Sequence, residues 1–150
     1  FETTTSNTIS FVPLLGPVIA RYRTKAEDKG LSFVIVDEIG ERELELRPRA
    51  LLAVLRAVLS NAVKFTDSGS VRFEAEIAEG KLGVVVTDTG IGMDEGTLER
   101  SGERFFQAEG SHTKRHRGLG LGLWTARRIM AALGGSISIA SEPGEGTEVR

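Results

Sequence analysis

Residues 81–93, KLGVVVTDTGIGM, indicate a strand that runs into a tight, glycine-containing loop. Alternate side chains of a strand share one face, and Leu82, Val84 and Val86 make that face apolar. Asp88 continues the same phase, which is costly for a carboxylate unless a donor is hydrogen-bonded to it. An amino group on a flat apolar ligand would be such a donor. An ordinary strand-ending aspartate in a turn fits the same pattern.

The residues that follow this strand favour a close approach of the backbone to a ligand. Gly90 and Gly92 carry no Cβ, so the loop could lie against a planar ring.

Upstream, Pro48 opens a predicted helix. Asn61 and Lys64 lie three residues apart near its end and share one face. An amide oxygen is a reasonable Mg²⁺ ligand, and a lysine can neutralise phosphate as a point charge. A solvated helix end, with a lysine favoured by the helix dipole, is the alternative interpretation. The apolar stripe of this helix consists of Leu51, Leu55, Val58 and Ala62.

Downstream, residues 118–123, GLGLGL, are predicted to begin another helix. Free N–H groups at a glycine-rich helix start can bind an anion. The run matches neither the dinucleotide pattern nor the P-loop, and close packing on a neighbouring helix would explain it equally well. Cations just before it suggest a phosphate clamp, although a solvated loop has the same composition. They are Lys114, Arg115, His116 and Arg117.

The remaining pattern predicts one sheet covered on one face by three substantial helices. A helix from Pro13 to Gly30 has an apolar face at every fourth residue. That face consists of Leu14, Val18, Tyr22 and Ala26. A short helix is expected from Asp94 to Arg100. Strands are expected at residues 9–12, 31–36, 43–47, 71–77, 81–87 and 136–140.

Composition narrows the possible functions. The chain has 150 residues, a net charge of -2 and no cysteine, so disulfides and thiolate metal sites are excluded. This charge gives no general attraction for nucleic acid or an anionic membrane. Residues 1–7 are expected to be a tail or linker, and residues 8–150 one domain. Since Arg150 falls within a predicted strand, we expect an excised fragment with a truncated last strand.

Several segments in this order resemble the ATP-binding catalytic domain of sensor histidine kinases (HATPase_c). That family is part of the Bergerat-fold (GHKL) ATPase superfamily, which also contains gyrase B, Hsp90 and MutL. The matching segments are residues 55–66 (LRAVLSNAVKFT, the N box), 88–93 (DTGIGM, the G1 box), 103–107 (ERFFQ, the F box), 117–123 (RGLGLGL, the G2 box) and 144–149 (GEGTEV, the final box).

The resemblance implies an α+β fold, a two-layer α/β sandwich with a mixed, mostly antiparallel sheet. It also implies a site for ATP and Mg²⁺. Asn61 would coordinate Mg²⁺, Lys64 would contact phosphate, and these two would be the catalytic residues. Asp88 would accept a hydrogen bond from the adenine amino group. The other implied ATP contacts are Phe65, Gly90, Gly92, Lys114, Arg115, Arg117, Gly118, Leu119, Gly120, Leu121, Gly122 and Thr147.

The implied activity is transfer of the ATP γ-phosphate to a histidine on a separate dimerisation domain, expected just before Phe1. A response regulator receiver domain would be a further partner. The fragment would be a cytoplasmic monomer without direct membrane contact, and its parent a homodimer, with or without a membrane anchor. Three departures from the pattern, Ala57, Gly102 and Arg117, favour an alternative: a degenerate domain that binds nucleotide or docks a regulator.

Overall fold

Seven strands and four helices make up the part of the chain that the computed structural model describes, residues 7–40, 42–101, 103 and 122–150. The strands are β1 (Asn7–Ser10), β2 (Ser32–Asp37), β3 (Glu43–Leu46), β4 (Ser70–Ala78), β5 (Lys81–Asp88), β6 (Ile139–Glu142) and β7 (Gly146–Val149). The helices are α1 (Phe11–Asp28), α2 (Pro48–Lys64), α3 (Glu95–Arg100) and α4 (Gly122–Ala132).

The main sheet has the strand order β2-β4-β5-β7-β6. β2 pairs with β4 in parallel, and the other three pairings are antiparallel. The predicted mixed, mostly antiparallel sheet in an α+β fold is therefore confirmed. A separate antiparallel ladder joins β1 to β3, which the sequence did not suggest.

The core lies between the sheet and the faces of α1, α2 and α4. In β4, Val71, Phe73 and Ala75 are buried, whereas Arg72 between them is exposed. This alternation fixes which face of the sheet the helices cover. The predicted stripes of both long helices point into this core, since every one of their residues is buried or half-buried.

Several element boundaries differ from the prediction. The strand expected at residues 9–12 lies at Asn7–Ser10 instead, and residues 11 and 12 belong to α1. The first helix begins at Phe11, not at Pro13, because a proline in the first turn removes only an N–H that has no intrahelical partner. The strand expected at residues 136–140 begins at Ile139, which pairs with Val149 of β7. No helix in the described part of the chain is long and apolar enough to cross a membrane.

Donors from several segments hold the C-terminal turn of α2. A helix leaves its last carbonyl groups without intrahelical donors, so each needs a partner from outside. Here the partners come from the end of α1, from the residues just after α2 and from the loop after β5. They are Phe65 N to Asn61 O (2.9 Å), Thr66 Oγ1 to Ala62 O (2.7 Å), Lys29 Nζ to Val63 O (2.7 Å) and Ile91 N to Phe65 O (3.1 Å).

Replacing Lys29 with methionine tests this arrangement. The variant keeps an apolar side chain of similar length but leaves Val63 O without its cationic donor. We expect a loss of about 1 kcal/mol in the free energy of unfolding, typical of a partly exposed charged hydrogen bond at a helix C-terminus.

Urea unfolding measures the effect. Arg21→Met, at an exposed position of α1, is the matched control. Equal losses for the two variants would contradict a capping role for Lys29.

Candidate functional site

Asp88 is the last residue of β5 and lies between Val71 of β4 and Thr147 of β7. It is 8% exposed, and its side chain is in the same strand phase as the buried Val86. The expectation that this carboxylate lies on the apolar side of its strand is confirmed.

Burial raises the pKa of the Asp88 carboxyl, and hydrogen bonds to its ionised form partly oppose that rise. The backbone N–H of Gly90 donates to Oδ1 at 2.9 Å, and the backbone N–H of Thr147 and the side chain of Thr66 contribute as well. A carboxylate has about four acceptor positions. The Thr66 hydroxyl donates its single hydrogen to Ala62 O in this structure, so the carboxylate keeps capacity for a further donor, such as an amino group of a ligand.

The loop after Asp88 is fixed by bonds to four different segments. They are Thr89 N to Ser70 O (3.1 Å), Ile91 N to Phe65 O (3.1 Å), Gly144 N to Ile91 O (2.8 Å) and Met93 N to Ser141 Oγ (2.9 Å). This loop joins the end of α2 to the turn between β6 and β7. The position of the loop beside Asp88 is consequently fixed by the protein's own hydrogen bonds.

Glycine at positions 90 and 92 is required by the protein's own backbone. A Cβ at Gly90 would collide with Phe65 O and would lie 2.8 Å from Thr66 Oγ1. Gly92 has a φ of +66°, and a Cβ there would collide with Glu142 O. Both positions thus have a packing reason for glycine, while contact with a base remains a prediction.

Asn61, Lys64 and Phe65 lie together at the end of α2 and are all half-buried. The ammonium of Lys64 is 5.8 Å from the centre of the Phe65 ring, within the range of a cation–π contact. The amide of Asn61 has no hydrogen-bond partner among the described residues, so it can take a ligand. An amide oxygen suits Mg²⁺, which needs further oxygen ligands from elsewhere. No group of three or more His, Cys, Asp or Glu residues in the described ranges could supply them.

The described part of α4 begins against α2. A Cβ added at Gly122 would lie 3.7 Å from the Cβ of Ala57, one turn before Asn61. The departure at Ala57 therefore allows a close approach of the two helices. Gly102 and residues 104–107 of the F box lie outside the described residues. The same holds for the other predicted residues of the glycine run and for the predicted cations before it, which are Lys114, Arg115, Arg117, Gly118, Leu119, Gly120 and Leu121.

Two hydroxyl residues at this site were not expected from the sequence. Ser141 Oγ lies 2.8 Å from both Gly146 O and Thr147 Oγ1, and it accepts from Met93 N. It therefore links Thr147 to the loop after Asp88. Thr66 is fully buried between α2 and that loop. The position of Thr66 just after a helix was a weak local signal for its role. No local pattern reveals the role of Ser141, because that role depends on which segments meet in space.

The raised pKa of Asp88 predicts a specific pH dependence of stability without ligand. The folded chain holds this proton more tightly than the unfolded chain, whose carboxyl has the ordinary value of 3.8. The stabilising contribution is complete below pH 3.8 and is lost as the pH rises through the raised folded value. Asp88→Asn should thus gain stability relative to the wild type over that window, as measured by urea unfolding at several pH values.

Asp94→Asn is a control of opposite sign. The backbone N–H of Thr97 lowers the pKa of the Asp94 carboxyl. This group contributes stability above the unfolded value, which is lost as the pH falls, so its variant should lose stability relative to the wild type as the pH rises. The same trend in both variants would contradict the assignment for Asp88.

Several known proteins resemble this chain in sequence or in fold. Residues 46–150 match the family model HATPase_c, described as histidine kinase-, DNA gyrase B-, and HSP90-like ATPase. The chain is similar to the autoinducer 2 sensor kinase/phosphatase LuxQ of Vibrio parahaemolyticus, with 36% identity over 133 residues. It is also similar to the sensor histidine kinase AruS of Pseudomonas aeruginosa, with 42% identity over 102 residues.

These matches cover 84% and 65% of the chain but only 16% and 10% of the two relatives, so the chain spans a small part of each. Among solved structures, full-length ShkA in complex with AMPPNP superposes with a TM-score of 0.83 at 28% identity. That match covers 96% of this chain and 30% of ShkA. On the strength of the family model and these relatives, the chain belongs to the histidine kinase-, DNA gyrase B- and HSP90-like ATPases, HATPase_c.

Proposed function

We propose that this chain is the ATP-binding catalytic domain of a two-component sensor histidine kinase. It binds ATP with Mg²⁺ and transfers the γ-phosphate to a histidine on a separate dimerisation domain. The observation that carries the proposal is the buried Asp88 carboxylate, which has spare acceptor capacity and lies beside the helix end that bears Asn61 and Lys64. Similarity to sensor kinases and to an AMPPNP complex supports it.

Recognition of the base follows from the environment of Asp88. An ionised carboxylate can only accept hydrogen bonds, so it selects a ligand edge that carries a donor, such as the amino group of adenine. An unpaired buried acceptor is costly, which penalises a base that presents an acceptor at the same place. Thr147 is paired with Asp88 across the two strands and lies at the same edge of the sheet.

The phosphate end of the site is assigned to α2. The amide oxygen of Asn61 would hold Mg²⁺, and the ammonium of Lys64 would neutralise phosphate charge. Bound Mg²⁺ would offset the negative charge that develops during phosphoryl transfer. The protein then contributes mainly position and charge, since such transfers need little covalent chemistry from side chains. The remaining cations and the glycine run of residues 114–121 would complete this end.

The proposed partners follow from the proposed function as a histidine kinase domain. The acceptor histidine belongs to a dimerisation domain, and a response regulator receiver domain takes the phosphoryl group onward. Ala57 offers no base to activate water one turn before Asn61, so we expect slow ATP hydrolysis by the chain alone. A domain that binds nucleotide without transferring phosphate remains the competing function, and the second experiment below distinguishes it.

Nucleotide binding tests the base contact. Asp88→Asn should weaken binding of a non-hydrolysable ATP analogue by about 10-fold or more, the size of one charge-assisted hydrogen bond. Calorimetric titration with Mg²⁺ present measures the affinity. Asp28→Asn, at the exposed end of α1, is the matched control and should bind like the wild type. Equal affinity of the wild type and Asp88→Asn would exclude the proposed base contact.

Phosphoryl transfer tests the catalytic assignment. With radiolabelled ATP and Mg²⁺, the wild type should label the isolated dimerisation domain of its parent at an acid-labile, base-stable position. Asn61→Ala should reduce that labelling by about 100-fold or more, since removal of one preorganised electrostatic group costs this much in comparable sites. Exposed Arg56→Met, on the same helix, should have little effect. Nucleotide binding without any labelling would favour the competing function, and labelling of His112 or His116 would contradict the proposed acceptor.

A further inference from the structure

We propose that Thr66 is a positioning residue for Asp88. Its buried hydroxyl donates to the Asp88 carboxylate when that group is ionised, and to Ala62 O when Asp88 is protonated. The inference deepens the proposed function, on which its consequence for nucleotide binding rests. It adds a residue outside the set expected to contact ATP.

Geometry places the Thr66 hydroxyl between the helix end and the carboxylate. Thr66 is fully buried, and its Oγ1 lies 2.7 Å from Ala62 O. A Cβ built on Gly90 would lie 2.8 Å from Thr66 Oγ1 and 2.9 Å from Asp88 Oδ1. Both oxygens therefore border the same small volume beside Gly90. The Thr66 side chain also counts among the hydrogen bonds that favour the ionised form of Asp88.

Proton counting defines two arrangements of these groups. A threonine hydroxyl has one hydrogen and two acceptor positions. If Asp88 is protonated, its O–H can donate to Thr66 Oγ1, which keeps its own hydrogen on Ala62 O. If Asp88 is ionised, two acceptors would face each other unless the Thr66 hydrogen turns to the carboxylate. The last turn of α2 then gives up one of its capping donors, so the state of Asp88 is coupled to the helix that bears Asn61 and Lys64.

No charged group among the described residues competes with Thr66 for this role. The elements packed against Asp88 contribute Val71 from β4, Thr147 from β7 and Gly90 from the following loop, none of which has a titratable side chain. Within the described ranges, burial and hydrogen bonds account for its shifted pKa, and no neighbouring charge contributes. Removal of one donor should consequently be visible in the titration of Asp88.

The test measures the Asp88 titration directly by carboxyl-carbon NMR in the ligand-free chain. Thr66→Val keeps the shape but removes the hydroxyl, and it should raise the midpoint by roughly one pH unit, the usual effect of losing one hydrogen bond to a charged group. Thr66→Ser keeps the hydroxyl and should leave the midpoint near the wild-type value. Thr66→Ala removes the hydroxyl without a branched side chain, and it replaces the valine variant if that variant does not fold.

A second readout follows the consequence for binding. At a pH where the wild-type carboxyl is ionised, Thr66→Val should bind an ATP analogue about 3- to 10-fold more weakly, as expected for the loss of one hydrogen bond. Thr66→Ser should bind like the wild type, and inorganic tripolyphosphate should bind all three proteins equally.

The outcomes separate this inference from the proposed function. An unchanged Asp88 midpoint in folded Thr66→Val, or an equal shift in Thr66→Ser, would overturn the role of Thr66, because packing alone explains such results. A wild-type chain that binds no ATP analogue would remove the proposed function, whereas the titration needs no nucleotide and still decides the link between Thr66 and Asp88.

Discussion

The hydrogen bonds that satisfy the last carbonyl groups of α2 are the constraint on which the rest of this structure depends. Lys29 reaches them from the end of α1, and Ile91 reaches them from the loop after β5. Two elements that are distant in sequence are thereby fixed to one helix end. Because Asn61 and Lys64 lie in that same turn, the position of the residues proposed to bind Mg²⁺ and phosphate is set by the helix termination itself.

Burial of Asp88 with no charged partner among the described residues is the second constraint. A nearby lysine or arginine would keep the carboxylate ionised, but it would also occupy the acceptor positions that a ligand needs. Backbone N–H groups and a hydroxyl reduce the cost of the charge and leave it only partly satisfied. In the proposed function, this arrangement lowers the stability of the fold in exchange for selectivity between ligands.

Local patterns predicted much of the fold and the identity of the central residue. The helix stripes and the strand phase of Asp88 depend on periods of 3.6 and 2.0 residues, which are visible in any short window. The bonds of Lys29 and Ser141 depend on which segments meet in space, and no such window contains both partners. The start of α1 at Phe11 was missed because a proline is tolerated anywhere in the first turn, so Pro13 marks the region but not the residue.

The pairing of β5 with β7 also determines at which stage of folding the site forms. Asp88 and Thr147 are opposite each other in the sheet but about 60 residues apart in the chain. Contacts of such sequence separation form late, because the entropy lost on closing the intervening chain must be recovered from other interactions. A partly synthesised or partly folded chain therefore lacks the acceptor geometry of the site. Nucleotide recognition in this domain is a property of the completed fold, so ligand binding is coupled to the cooperative folding of the whole domain.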